Sequence, residues 1–197
     1  MKQPAFEPAQ IDALRELANI GMGRAANALG QLLELEVTLN IPTVEYLQLT
    51  VLVDSINVRL KRENLVATRQ AFSDGLDGES VLVFKRGRAT ADDTAAASQS
   101  ALAAENERLL EITNIIVGSF LGYLMEPLGV DLYFSAPTLL GLPLVAHQID
   151  RGWDSVLVLD VEMGIHAQTD NCKLLLVFPE ISIEKIRLAV DELLASI

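Results

Sequence analysis

Cysteine occurs once in this chain, at Cys172, and histidine twice, at His147 and His166. A single cysteine rules out a disulfide within the chain and suits a reducing compartment. Those three residues share no ligand spacing, so the sequence offers no zinc site of the Cys/His type. Basic residues are also scarce. Fifteen Lys and Arg stand against 27 Asp and Glu, giving a net charge of −12. Nucleic acid and anionic membrane both call for clustered positive charge, so neither is expected as a partner. Long apolar runs are missing too. The longest helical one, "IIVGSFLGYLM" at 115–125, falls well short of the ~20 residues that span a bilayer. The opening "MKQPAFEPAQ" lacks the apolar stretch of a signal peptide. The expectation is a cytoplasmic protein with no metal or cofactor of its own.

What the chain does have is apolar content: half of its 197 residues are hydrophobic, enough for one globular domain with a sizeable core. Two short stretches imitate ligand loops. "DGLDGE" (74–79) lacks calcium-loop spacing and sits between strand-like runs, so it reads as a hairpin turn. "GMGRAA" (21–26) imitates a nucleotide-binding glycine loop, but a helix precedes it where that motif needs a strand.

The strongest pattern is an internal repeat. "LRELANIGMGRAANALGQLLELEVTLNIPT" (14–43) has a counterpart in "LLEITNIIVGSFLGYLMEPLGVDLYFSAPT" (109–138). Glu16 matches Glu111, Asn19 matches Asn114, Gly23 matches Gly118 and Pro42 matches Pro137, each 95 residues apart. The ends agree as well: "ESVLVFKRGRATADDTAAA" (79–97) resembles "CKLLLVFPEISIEKIRLAV" (172–190). No Ser- or Gly-rich linker separates the halves. The chain therefore reads as one domain over 1–197, with repeat 1 at about 9–98 and repeat 2 at about 104–197.

Periodicity predicts a helix over 9–34 with a buried stripe of Leu14, Leu17, Ala18, Ala25, Ala28, Leu29 and Leu32. A strand at 36–41 stops at Pro42. Runs at 64–72 and 79–84 form a hairpin, and 90–126 is helical with a break near 100. Strands follow at 130–135, 154–165 and 172–178, and an amphipathic helix at 182–196 closes the chain. The fold class is α+β: an internally duplicated, pseudo-two-fold domain with a shared, mostly antiparallel sheet and flanking helices.

Residues three apart in a helix share a side, so Glu16 and Asn19 project together, and Gly23 continues that face. Glycine there costs roughly 1 kcal/mol relative to Ala and leaves a notch that another backbone can approach. On one helix this would be an ordinary solvated face. Repetition of the same residue types on the second helix argues for use.

Asp12-x3-Glu16-x2-Asn19-x22-Pro42 resembles the signature of the CheC/CheX/FliY phosphatases of chemotaxis: Asp or Ser, three residues, Glu, two, Asn, twenty-two, Pro. The second copy, Glu107-x3-Glu111-x2-Asn114-x22-Pro137, departs only in its leading Glu. Two copies resemble CheC rather than the single-site CheX, and 197 residues leave no room for the additional domain of FliY. The resemblance implies a CheC-like fold and hydrolysis of the phospho-aspartate of a CheY-like response regulator. Glu16 and Glu111 would dock on the receiver's lysine. Asn19 and Asn114 would hold the attacking water. Mg2+ would come from the receiver, and a CheD-like deamidase is a further implied partner. The alternative is a non-catalytic receiver- or CheD-binding adaptor, or a flagellar-switch module.

Overall fold

The computed structural model describes residues 6–33, 36–40, 42–62, 65–85, 95–141, 153–165 and 170–195. The first half supplies α1 (Pro8–Leu33), β1 (Val37–Leu39), β2 (Thr43–Gln48), α2 (Leu49–Arg62), β3 (Leu65–Asp74) and β4 (Gly78–Lys85). The second supplies α3 (Ala95–Met125), a 3-10 turn (Glu126–Leu128), β5 (Leu132–Phe134), β6 (Thr138–Leu139), β7 (Ser155–Ile165), β8 (Asp170–Pro179) and α4 (Glu180–Ala195). His147 and His166 lie outside the described residues.

All strands join one sheet in the order β1-β7-β8-β4-β3-β5, with β2 also on β7 and β6 also on β3. The pairings between described strands are antiparallel throughout. The order is palindromic: exchanging the halves maps β1 on β5, β2 on β6, β7 on β3 and β8 on β4. Strands β5 and β6 start 95 residues after β1 and β2, the same offset as the motif. At the centre, Val81 of β4 pairs with Leu175 of β8. The pseudo-two-fold axis passes there.

Alternation along the central strands explains their position. In β7, Leu157, Leu159, Val161 and Met163 face one layer, while Val156 and Val158 face the other, and all six are buried. A strand apolar on both faces must be covered on both. Helices α1, α3 and α4 cover the first face, where Leu14, Leu17, Met22, Ile116, Phe120 and Ile186 meet the strands. Helix α2 covers the other through Leu49, Leu52, Val53 and Ile56. Each large apolar side chain so buried contributes roughly 1.5–3 kcal/mol, which fixes how the motif helices face the sheet.

Several expectations change. Helix α3 runs unbroken over Ala95–Met125. Its 99–128 stretch, with the 3-10 turn, is long and apolar enough to cross a bilayer by length and composition, contrary to the short run seen in sequence. Its buried residues, Ile112 to Met125, pack into the core cluster instead. The strand expected to end at Pro42 resumes as β2, because proline interrupts an edge ladder without ending it. In the α1 stripe, Leu14, Leu17, Ala18 and Ala25 are buried, Met22 joins them, and Ala28 is only half-buried. The side chains of Leu29 and Leu32 lie outside the described residues.

Cys172 is buried in β8. Desolvation by burial pushes its thiol from 9.0 up to about 12, with a backbone hydrogen bond pulling the other way. Folded thiol therefore stays neutral where unfolded thiol ionises. This contribution to stability is fully present below pH 9.0 and is lost as pH rises toward 12. Alkylation by iodoacetamide at pH 8 should label Cys172 only after denaturant is added. Fast labelling of native protein would contradict this burial.

Candidate functional site

Helices α1 and α3 pack side by side on one face of the sheet, and each carries one motif copy. Glu16, Asn19, Glu111 and Asn114 are all exposed. Asp12, the leading motif residue, pairs with Arg15 at 3.4 Å. The leading position of the second copy, Glu107, is also exposed.

The glycines separate into two kinds. A Cβ on Gly21 would sit 3.3 Å from both the ring and the carbonyl oxygen of Phe120. Gly21 is thus a packing residue where α1 meets α3, and Phe120 is fully buried there. A Cβ on Gly23 or Gly118 would meet nothing within 4 Å among the described residues. Internal packing requires neither glycine, although each weakens its helix.

Two surface grooves among the described residues flank the motif pairs without containing the Glu and Asn side chains. One runs beside α1 from Gly23 over Ala26, Asn27, Gly30, Gln31, Glu36 and Val37. The other shares six of those positions 95 residues on, Leu121, Gly122, Met125, Glu126, Asp131 and Leu132, but does not reach Gly118. Among the described residues, the Glu and Asn side chains stand on the open helix surface and line neither groove. Among the described residues, no group of three or more His, Cys, Asp or Glu could hold a metal ion.

Beneath the two motifs the strands pair equivalently, but α3 packs on β3 more closely than α1 does on β7, and the side chains differ. Asn40 N–H donates to the Glu162 carbonyl at 3.0 Å, and Ser135 N–H to the Ala71 carbonyl at 2.9 Å. These bonds pin the segments that lead into Pro42 and Pro137. Arg69 stands opposite Thr138 as Asp160 stands opposite Thr43. Arg69 pairs with Glu79 at 2.7 Å, and Asp160 pairs with Lys173 at 2.5 Å. The same ion pair is built twice with its charges reversed.

The residues that follow, Gln70 and Val161, differ more. Val161 is wholly buried and apolar. Gln70 is 1% exposed, and its Nε2 donates to Asn114 Oδ1 at 2.9 Å and to the Ser135 carbonyl at 2.8 Å. Its Oε1 is buried without a hydrogen bond among the described residues, a cost of about 1–3 kcal/mol. One residue before Asn114 and two before Gln70, the hydroxyls of Thr113 and Thr68 meet at 2.7 Å, and Thr113 donates to the Leu109 carbonyl at 2.7 Å. In the first half those places hold Ala18 and Leu159, both buried. No described residue bonds the Asn19 side chain. Sequence reading missed Gln70, Ser135, Thr68 and Thr113; the one available signal was polar residues in a strand and helix whose counterparts are apolar.

Residues 10–46 match the model of the CheC-like family. That segment holds Glu16, Asn19 and Pro42, so the resemblance read from the first motif is borne out there. No curated protein matches the chain. Among solved structures the chain is similar to Thermotoga maritima FliY, with a TM-score of 0.65 and 20% identity over 95% of this chain and 98% of that one. It is also similar to the FliM middle domain from H. pylori, at TM-score 0.58 and 14% identity over 93% and 99%. A third likeness is to a chain of the CheX–CheY–BeF3–Mg2+ complex from Borrelia burgdorferi, at TM-score 0.53 and 14% identity over 84% and 99%. At such identities the shared property is the fold, which the CheC-like segment joins to a motif.

Replacing Gly23 or Gly118 by Ala should raise stability by about 0.5–1 kcal/mol each. Gly21→Ala should forfeit that gain against Phe120. Urea midpoints of the three variants test this; a loss of stability in Gly23→Ala would mean that the α1 surface is packed rather than open.

Proposed function

We propose that this protein is a phosphatase that hydrolyses the phospho-aspartate of a CheY-like response regulator. One observation carries the reading: the same exposed Glu and Asn recur on equivalent helices of a palindromic fold, beside glycines that internal packing does not need. The match of residues 10–46 to the CheC-like family supports it. So does the fold shared with a chain of the CheX–CheY complex.

In this reading Glu16 or Glu111 pairs with the receiver's lysine and sets the docking. The flat surface around Gly23 or Gly118 lets the receiver's backbone come close. Asn19 or Asn114 holds a water in line with the phosphorus, since a carboxamide both donates and accepts hydrogen bonds. Water adds to phosphorus, the bond to the aspartyl oxygen breaks, and inorganic phosphate and free aspartate result. Positioning and charge stabilisation supply most of the catalysis in such transfers. Mg2+ is the receiver's contribution. The setting is the cytoplasm, where phosphorylated receivers occur.

A second reading rests on the likeness to the FliM middle domain: a non-catalytic module that binds a receiver or a CheD-like deamidase. Fold does not separate the two. The repeated asparagines favour the phosphatase, because a scaffold has no water to position.

Asn19→Ala and Asn114→Ala should each retain part of the activity, and the double variant should lose roughly 10²- to 10³-fold, the scale for removing a positioned polar group. Folding should change by no more than ~0.5 kcal/mol for Asn19→Ala, an exposed position, and by about 1–3 kcal/mol for Asn114→Ala, which removes a hydrogen-bond partner of the buried Gln70. Single-turnover decay of a phosphorylated receiver checks the rates, and circular dichroism checks the fold. A folded double variant with the wild-type rate would hand the function to the adaptor reading.

A further inference from the structure

We infer that Gln70 is a positioning residue for Asn114, and that it makes the two phosphatase sites unequal; this rests on the phosphatase reading above. The Ser135 carbonyl can only accept, so the Gln70 atom that faces it is the amide nitrogen. The same nitrogen faces Asn114, which must therefore meet it with Oδ1. A backbone carbonyl thus sets the polarity of two carboxamides in series. Asn114 is held with its N–H donors and one lone pair of Oδ1 left for water and phosphate. Asn19 receives no such bond from a described residue, and the strand position matching Gln70 is Val161.

Val161 shows that the fold accepts an aliphatic side chain at this place. Gln70 nonetheless occupies it at 1% exposure, with Oε1 unbonded among the described residues. A buried carboxamide with an unbonded oxygen, where the counterpart is apolar, has its use in the two bonds its nitrogen makes, to the Ser135 carbonyl and to Asn114. Ser135 is itself fixed to β3, since its N–H donates to the Ala71 carbonyl and its hydroxyl accepts from Ala71 N–H at 3.0 Å. The motif's proline segment and its asparagine are therefore parts of one construction at the second site: Pro137 follows the carbonyl that orients Gln70, and Gln70 orients Asn114.

Asn114 then works from one fixed amide orientation, while Asn19 must be ordered by the partner. The Asn114 site is the faster of the two, so Asn114→Ala costs more activity than Asn19→Ala.

The test is Gln70→Met, close in volume and without the donor, placed in the Asn19→Ala and Asn114→Ala backgrounds. In single-turnover decay of a phosphorylated receiver, it should slow the saturated rate about tenfold in the Asn19→Ala background. The receiver concentration for half-saturation should stay put. In the Asn114→Ala background the cost should be under twofold. A second readout needs no activity: the side-chain 15N heteronuclear NOE of Asn114 should be high in the wild type and drop in Gln70→Met to the level of Asn19. Equal slowing in both backgrounds would overturn the inference, as would an Asn114 amide already as mobile as that of Asn19 in the wild type. If no form, wild type included, hastens receiver decay, the phosphatase reading fails, and the NOE alone decides whether Gln70 orders Asn114.

Discussion

Strands β4 and β8 meet through the pairs Glu79–Val177 to Phe84–Cys172, and the placement of both motifs depends on this seam. Each half brings a hairpin, β3–β4 or β7–β8, whose inner strand is apolar on both faces. Neither hairpin can bury those faces alone. Joined antiparallel about Val81 and Leu175, they make a continuous centre that helices cover on both sides. Because the joint is a two-fold, whatever sits on α1 is reproduced on α3. The outer strands obey it too, as β1 and β2 pair with the other half's β7, and β5 and β6 with β3. Helix α3 therefore rests on β3 of the first half together with β5 and β6 of its own, while α1 rests chiefly on β1 and β2, which are themselves held by β7 of the other half.

Within that frame the side chains have diverged wherever the backbone allowed. The ion pair beside each motif has swapped its charges, Arg69–Glu79 on one side and Asp160–Lys173 on the other. A pair is indifferent to which strand carries which sign, so long as both change together. The layer between motif helix and sheet differs in one patch: Ala18, Leu159 and Val161 of the first half are replaced by Thr113, Thr68 and Gln70 in the second. Outward-facing Glu, Asn and the open glycine are kept, as are Leu14 with Leu109 and Pro42 with Pro137. Packing accounts for the kept leucine and proline; it does not account for the kept Glu and Asn on the exposed faces.

The sequence carried the duplication, the motif faces and nearly every long element, because these rest on spacing along the chain. Helix α1 was legible from its 3.6-residue stripe and the hairpin from "DGLDGE". Helix α2 was not read, although Leu49, Leu52, Val53 and Ile56 are spaced for one face; it follows directly on β2, with no turn residue between them to mark its start. The break expected in α3 near 100 is not there, since Ser98, Gln99 and Ser100 are polar without being helix breakers. The support of Asn114 was beyond reach of the sequence. Gln70 lies 44 residues away from Asn114 and Ser135 lies 65 from Gln70, and only the sheet register brings them together.

The central claim is that water, held by Asn on this surface, attacks the phosphorus of a receiver's phospho-aspartate. The most direct measurement is decay of a phosphorylated CheY-like receiver in 18O-labelled water, with and without this protein. The account predicts that decay quickens and that the label appears in inorganic phosphate. Unchanged decay, or label in the receiver's aspartate, would contradict it.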